Sequence, residues 1–295
     1  MPNTRIVKQT LIHYNETMKK FAYAKINLTL EILSRKPDGY HKIKSVFQKI
    51  SLSDIIEISS SEKPRIEFTG FKPAGETTIH KALRLFEQKT GIKPSLRISI
   101  KKRIPAKSGL GGGSSDAATT LLMLNKLYGN PLGKKELKEL AQKIGADVPF
   151  FLDGKTALVE GIGERILPLK TNLKNYFALI VVPDFGYSTE EAYKMFDLHG
   201  KPGEKGATEK LIRCLNKDCT QLESLLYNDF EEMLKKTDKK FTDFLKKITE
   251  LTGKRFSLTG SGSAIFTVYR DRDAAKSGLR VISNEGFKGF VSRFK

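Results

Sequence analysis

Residues 109–113 read Gly-Leu-Gly-Gly-Gly, and Ser114, Ser115 and Asp116 follow directly. No other stretch narrows the fold as far. Glycine removes the side chains that keep a ligand away from the backbone, and it tolerates positive φ. Residues 95–104 read as a strand that stops at Pro105. Ala117, Leu121 and Leu124 then place an apolar stripe on one face of a helix predicted to run to about residue 128. A helix N-terminus opened by glycines is an anion site, most often for phosphate; a plain glycine-rich surface turn is the alternative. The Gly-x-x-x-x-Gly-Lys-Ser/Thr pattern fails because Ser114 follows the last glycine, and Gly-x-Gly-x-x-Gly fails because its third glycine position is also Ser114. Neither a P-loop ATPase nor a dinucleotide-binding Rossmann enzyme is indicated.

The rest of the chain predicts an α+β protein. Strands are expected at 24–33, 43–50, 54–60, 65–70, 176–182, 255–259, 264–269 and 287–294, and helices at 78–89, 134–144, 189–197, 207–215, 228–251 and 271–284. Short connections between mixed elements favour antiparallel pairing over a regularly wound parallel sheet. The domains are expected as an extension or extra edge strand over 1–20, an N-terminal domain over 21–168 and a C-terminal domain over 169–295. Hydrophobic residues make up 39% of the chain, which argues against disorder. The longest strongly apolar stretch, 177–182, is far short of the ~20 residues of a membrane-spanning helix. The N-terminus lacks the apolar core of a secretory signal. Lys and Arg exceed Asp and Glu by 52 to 33, a formal charge of +19, which raises the question of an anionic partner.

Single residues leave alternatives open. Asp147 lies in the apolar stretch Gly-Ala-Asp-Val-Pro-Phe-Phe, so it reads as a cap, a buried ion-pair partner or a general base. Lys25 on its strand reads first as a solvated lysine. Tyr40 and His41 follow a Lys36-Pro-Asp-Gly39 turn, and His41 alone reads as a surface histidine or a local hydrogen bond. Gly260-Ser261-Gly262 reads equally as a hairpin turn. Cys214 and Cys219 are too few for a disulfide framework and are expected to pack rather than react. His13, His80 and His199 lack metal-ligand spacing. Asp184-Phe185-Gly186 spells a protein-kinase triplet, but none of that family's other motifs accompanies it.

Pro105 together with residues 109–118 resembles the ATP-binding motif of the GHMP kinases: galactokinase, homoserine kinase, mevalonate kinase and phosphomevalonate kinase. Within that superfamily the chain resembles the 4-diphosphocytidyl-2-C-methyl-D-erythritol kinases. Ala24-Lys25-Ile26-Asn27-Leu28, Asp38-Gly39-Tyr40-His41, Gly145-Ala146-Asp147-Val148-Pro149-Phe150 and Leu258-Thr259-Gly260-Ser261-Gly262-Ser263 match in the expected order. Two positions depart from the pattern. Tyr23 stands where proline is common, and Thr77-Thr78 where Asn-Leu is usual.

The resemblance implies a two-domain GHMP kinase fold. Its N-terminal half would resemble ribosomal protein S5 domain 2, its C-terminal half a ferredoxin, and the active site would lie in the cleft between them. It implies transfer of the ATP γ-phosphoryl to the 2-hydroxyl of 4-diphosphocytidyl-2-C-methyl-D-erythritol, in the non-mevalonate route to isoprenoid precursors. ATP would lie on Pro105, Gly109, Leu110, Gly111, Gly112, Gly113, Ser114 and Ser115, with Mg2+ bridging phosphate oxygens and no protein ligand assigned. Asp147 would be the general base, and Lys25 would pair with it and carry charge on the transferring group. Asn27, Thr189, Gly260 and Ser261 would contact substrate, Tyr40 and Tyr193 would sandwich the cytosine, and His41 would bond the base edge. The partners expected are small molecules, with no specific nucleic acid and no membrane, for a soluble cytoplasmic monomer or weak homodimer. A kinase of small aliphatic alcohols would need no Tyr40–His41 wall. A nucleic-acid binder would gather its cations into one tract, whereas here they are scattered.

Overall fold

The computed structural model describes residues 17–217 and 219–295. Residues 1–16, which hold His13 and most of the expected extension, lie outside the described residues. In chain order the first part contains β1 (Met18–Arg35), β2 (His41–Ser60), β3 (Arg65–Thr69), α1 (Thr78–Thr90), β4 (Leu96–Lys101), α2 (Gly112–Leu127), α3 (Lys134–Ile144), α4 (Val148–Asp153), β5 (Thr156–Gly161) and β6 (Arg165–Pro168). The second part contains β7 (Phe177–Val182), α5 (Thr189–His199), α6 (Ala207–Leu215), β8 (Tyr227–Asn228), α7 (Asp229–Thr237), α8 (Lys239–Thr252), β9 (Ser257–Leu258), β10 (Ile265–Tyr269), α9 (Arg272–Asn284) and β11 (Lys288–Arg293).

The long β1–β2 hairpin is the spine. Its turn closes where Gly39, at φ 86°, donates its N–H to Lys36 O at 3.0 Å. The sequence suggested a break near residue 52, yet β2 runs on unbroken, because each half has its own second neighbour. Residues 43–48 pair with β5, and 55–60 pair with β4. The first sheet runs β3-β4-β2-β1-β8, with β5 and β6 continuing beside β2, and the second runs β11-β7-β10-β9. The halves interlock. β8 comes from the second half but lies parallel to β1, and Ala24, Ile26 and Leu28 share a core with Ala178, Ile180 and Phe266.

That interlock changes the character of β1. The alternation over 24–33 predicted a strand with one wet face, but every residue from Ala24 to Ile32 is buried. The polar side chains Lys25, Asn27, Thr29 and Glu31 therefore need partners inside the protein. Thr29 Oγ1 lies 3.0 Å from Thr208 Oγ1. Glu31 accepts N–H bonds from Lys205 at 2.6 Å and Thr208 at 3.0 Å, so a carboxylate caps the positive end of α6. Burial favours the neutral acid here, but the hydrogen bonds from Thr208, Lys205 and Ala207 outweigh it and hold the carboxyl below its usual range.

Other expectations needed correction. The single helix predicted over 228–251 is two helices, because Asp238 at φ −128° ends α7 and its carboxylate accepts from Phe241 N–H to start α8. The α4 turn and the β5–β6 hairpin were not predicted. Cys214 and Cys219 form a disulfide rather than packing as free thiols. The helix carrying Cys214 ends at Leu215, and the chain returns so that the two Cα atoms lie 4.9 Å apart.

Glu31→Gln should lower unfolding stability at neutral pH by about 1.5–3 kcal/mol, the usual worth of hydrogen bonds to a charged group. Because the folded carboxyl titrates below the ordinary 4.5, the stability it supplies is complete above that pH and is lost as pH falls through the folded value. Urea melts of both proteins between pH 3 and pH 7 should therefore converge on acidification; a gap that does not narrow rules the cap out.

Candidate active site

The second half closes over the glycine loop and leaves a cleft of about 630 Å3, a volume in the range of small-molecule sites. One wall is the loop between β4 and α2. Gly111 precedes α2 at φ 72°, and the first intrahelical bond runs from Ser115 N–H to Gly111 O at 2.9 Å. The amides of Gly112, Gly113 and Ser114 precede that bond at the positive end of a 16-residue helix, which makes them donors for an anion. Gly109, at φ 73°, must be glycine, since a Cβ there would fall 1.9 Å from Thr259 O.

The opposite wall is the turn between β9 and β10. Two backbone links and the side chains of Thr259 and Asn228 bind it to the rest. Ser263 N–H donates to Lys107 O and Ala264 N–H to Ser108 O, each at 3.3 Å. Lys25 N–H donates to Leu110 O at 3.0 Å, tying β1 to the same loop. Thr259 Oγ1 accepts from Asn27 N–H at 3.1 Å and lies within 3.4 Å of both Asn27 Oδ1 and Gly109 O, to either of which its proton can go. From behind, Asn228 Nδ2 donates to Leu258 O and Gly260 O, both at 2.9 Å.

At the floor, Lys25 is 3% exposed. Its Nζ donates to Asn27 Oδ1 at 2.7 Å, stands 3.6 Å from Asp147 Oδ2 and lies 4.7 Å from the centroid of the Phe47 ring. Burial lowers the pKa of this ammonium, and the attraction and hydrogen bond of Asp147 offset that only in part. Asp147 begins α4 without capping it, so its carboxylate is left for the cleft.

Beneath the loop, Lys102 Nζ sits between Asp54 and Asp116, 2.7 Å from Asp116 Oδ2. Asp54 Oδ1 also accepts from Ile104 N–H at 2.8 Å, which fixes the chain entering the loop. Burial raises the Asp116 pKa to about 7; Lys102 pulls it down and Asp54 pushes it up. Asp116 Oδ1 is buried without a hydrogen-bond partner among the described residues.

The cleft brings together Lys25, Asn27, Pro105, Gly109, Leu110, Gly111, Gly112, Gly113, Ser114, Asp147, Thr189, Tyr193, Gly260 and Ser261. Three expected residues do not line it. Ser115 turns to the far side of α2, Tyr40 is 62% exposed beyond the rim, and His41 is buried beside it. The His41 ring stacks on Tyr193 at 4.6 Å, and its Nε2 lies 2.7 Å from Asp197 Oδ1. Thr77 and Thr78, where the sequence departs from the family pattern, also line the cleft, and Thr78 Oγ1 donates to Gly113 O at 2.7 Å. Asp184 is exposed and pairs with Lys240 at 3.4 Å, away from the chemistry. Sequence reasoning missed Thr259, Asn228, Asp54, Lys102 and Asp197. Thr259 lay inside a matched motif, while the others carried no local signal.

Comparison with known proteins places this geometry. Residues 77–155 match the GHMP kinases N terminal domain. The 4-diphosphocytidyl-2-C-methyl-D-erythritol kinase of Carboxydothermus hydrogenoformans is 39% identical over 259 residues, covering 87% of this chain and 90% of the relative. That of Thermodesulfovibrio yellowstonii is 38% identical over 282 residues, covering 92% and 95%. A crystal structure of a 4-(cytidine 5'-diphospho)-2C-methyl-D-erythritol kinase superposes with a TM-score of 0.78 at 30% identity, covering 94% of this chain and 99% of the other. Homoserine kinase from Cytophaga hutchinsonii, at 18% identity and a TM-score of 0.71 over 95% of each chain, shares the fold. The chain belongs to the 4-diphosphocytidyl-2-C-methyl-D-erythritol kinase family, on the GHMP kinase fold.

Proposed function

We propose that the protein transfers the γ-phosphoryl group of ATP to the 2-hydroxyl of 4-diphosphocytidyl-2-C-methyl-D-erythritol, giving the 2-phosphate and ADP. The observation that carries the chemistry is the pair of buried Lys25 and half-buried Asp147, 3.6 Å apart, facing the amides of the glycine loop across one cleft. Asp147 accepts the proton of the attacking hydroxyl. Lys25 spreads the charge that builds on the phosphoryl oxygens, and the loop amides hold the triphosphate in line. Positioning and fixed electrostatics of this kind are the main catalytic means in phosphoryl transfer.

The donor set suits an Mg2+ ion held mainly by phosphate oxygens. Among the described residues no group of three or more His, Cys, Asp or Glu is arranged to cage a metal, but Asp116 at the cleft has an unpartnered carboxylate oxygen. Asp116 is the residue that would hold the ion, which leaves Asp147 to act as base. When bound, it would neutralise charge on the β- and γ-phosphates.

Cytidine recognition falls to the rim. Tyr40 is exposed and offers a ring face to a base. With Asp197 accepting from Nε2–H of His41, the Nδ1 of the neutral ring is an acceptor, which matches the 4-amino donor of cytosine and clashes with the 4-oxo group of uracil.

Coupled ADP-release assays test the whole reading, with homoserine and mevalonate as controls. Asp147→Ala should lower kcat by at least ~100-fold while the fold persists; near-normal turnover would remove Asp147 as the base. The basic limb of the kcat/KM–pH profile should lie below the ordinary lysine value of 10.5, because burial lowers Lys25, and Lys25→Arg should abolish that limb in whatever activity remains. The uridine analogue of the substrate should lose at least about tenfold in kcat/KM, the cost of one unpaired buried polar group. Equal use of both nucleotides would overturn the His41 assignment.

A further inference from the structure

A second cavity, of about 360 Å3, lies on the far side of α2 from the cleft. Its walls come from the start of β1, from Lys49 of β2, from the α2 stripe Ser115–Thr119–Leu122–Lys126, and from α4. Its character differs from that of the cleft. Phe21 and Leu122 at its edge are 49% and 36% exposed, although both are large and apolar. Lys20, Lys49 and Lys126 also line it, and no carboxylate does. None of the three forms an ion pair within 4 Å among the described residues. Lys49 is the inner cation. Burial lowers its pKa, with only partial relief from Asp153.

We propose that this pocket is a second ligand site, for a small amphipathic anion: an apolar chain or ring carrying a phosphate or carboxylate head. Apolar walls supply affinity for the tail, and three lysines without counter-ions supply it for the head. An apolar molecule without charge would leave half-buried Lys49 with only the partial relief of Asp153, and a cation would be repelled. The other occupant within reach is the segment before Met18. It carries Arg5 and Lys8 against Glu16 alone, so its charge has the wrong sign for this pocket. The pocket also backs onto the phosphate loop, since Phe151 walls it and a Cβ on Gly111 would fall 2.8 Å from that ring.

The chain contains no tryptophan, so Leu122→Trp in the full-length protein gives a single reporter at the pocket mouth. Titration with n-octyl phosphate should give a saturable fluorescence change that persists under saturating ADP. Octyltrimethylammonium and inorganic phosphate should give none. Adding the exposed charge reversals Lys20→Glu and Lys126→Glu should weaken octyl phosphate by about two- to thirtyfold, the expected sum of two surface pairings. The proposal fails if octyl phosphate gives no response, if the cationic amphiphile or inorganic phosphate responds equally, if the reversals leave affinity unchanged, or if ADP competes one for one. It also fails if the response emerges only after residues 1–16 are removed, which would make that segment the occupant.

Discussion

One hydroxyl group joins the three segments on which the site depends. Thr259 Oγ1 takes the N–H of Asn27 from β1 and reaches Gly109 O of the phosphate loop, while its own backbone belongs to the turn of the C-terminal half. Remove that junction and, among the described residues, the links that remain between the two walls are those from Ser263 and Ala264 to Lys107 and Ser108. The close approach also explains why Gly109 must lack a side chain. Any Cβ there occupies the space of Thr259 O, so the loop could not sit against the turn. Loop conformation and domain apposition are therefore one constraint.

The same closure carries a cost. Covering β1 on both faces buries the ammonium of Lys25, a group that loses several kcal/mol of hydration when taken inside. Asn27 Oδ1 at 2.7 Å, the Phe47 ring face at 4.7 Å and Asp147 at 3.6 Å offset that loss, and the lowered pKa shows that they do so incompletely. A phosphoryl group with negative charge on its equatorial oxygens is the partner such an ammonium lacks. In the proposed reaction, poor solvation in the resting protein would become tight interaction in the transition state, where it would accelerate the transfer.

Much of this was legible in the sequence, for identifiable reasons. The glycine loop, α1, α3, α9 and the strands of the second sheet follow from local pattern, because their periodicity and turn residues act within a few positions. The location of Lys25 did not. On β1 alone a lysine between alanine and isoleucine reads as solvated, and only the covering by the second half makes it an interior group. The same covering hid Glu31 as a helix cap, since its partners are more than 170 residues away. Asp54 and Lys102 went unread, and Asp116 was read only as part of the loop motif, because the grouping depends on strand register between β2 and β4 and on where α2 packs, which no single segment encodes. The break at Asp238 was missed for the opposite reason: helical periodicity on either side masked one capping carboxylate.

The surplus of +19 can now be located by where it is not. The charged residues lining the cleft are Lys25, Lys102 and Lys107 against Glu76, Asp116 and Asp147, three of each sign. On α8, Lys239, Lys240, Lys246 and Lys247 each have an acidic partner, so they carry little net field beyond a Debye length. In the proposed reaction a formally neutral cleft has to hold a triphosphate and a diphosphate, so net side-chain charge does not supply the long-range attraction. On that reading the attraction would come from oriented dipoles: the amides of Gly112, Gly113 and Ser114, summed with the macrodipole of α2 behind them. Such donors are already aligned when the ligand arrives, and they do not attract bulk counter-ions that would first have to be displaced. Among the described residues, lysines without an ion pair within 4 Å also line the opposite side of that helix, where Lys20, Lys49 and Lys126 meet apolar walls. The helix thus separates two kinds of anion chemistry. Backbone dipoles act at its start, where the transferred group must be held in one geometry, and side-chain charge gathers along its far face, where geometry matters less.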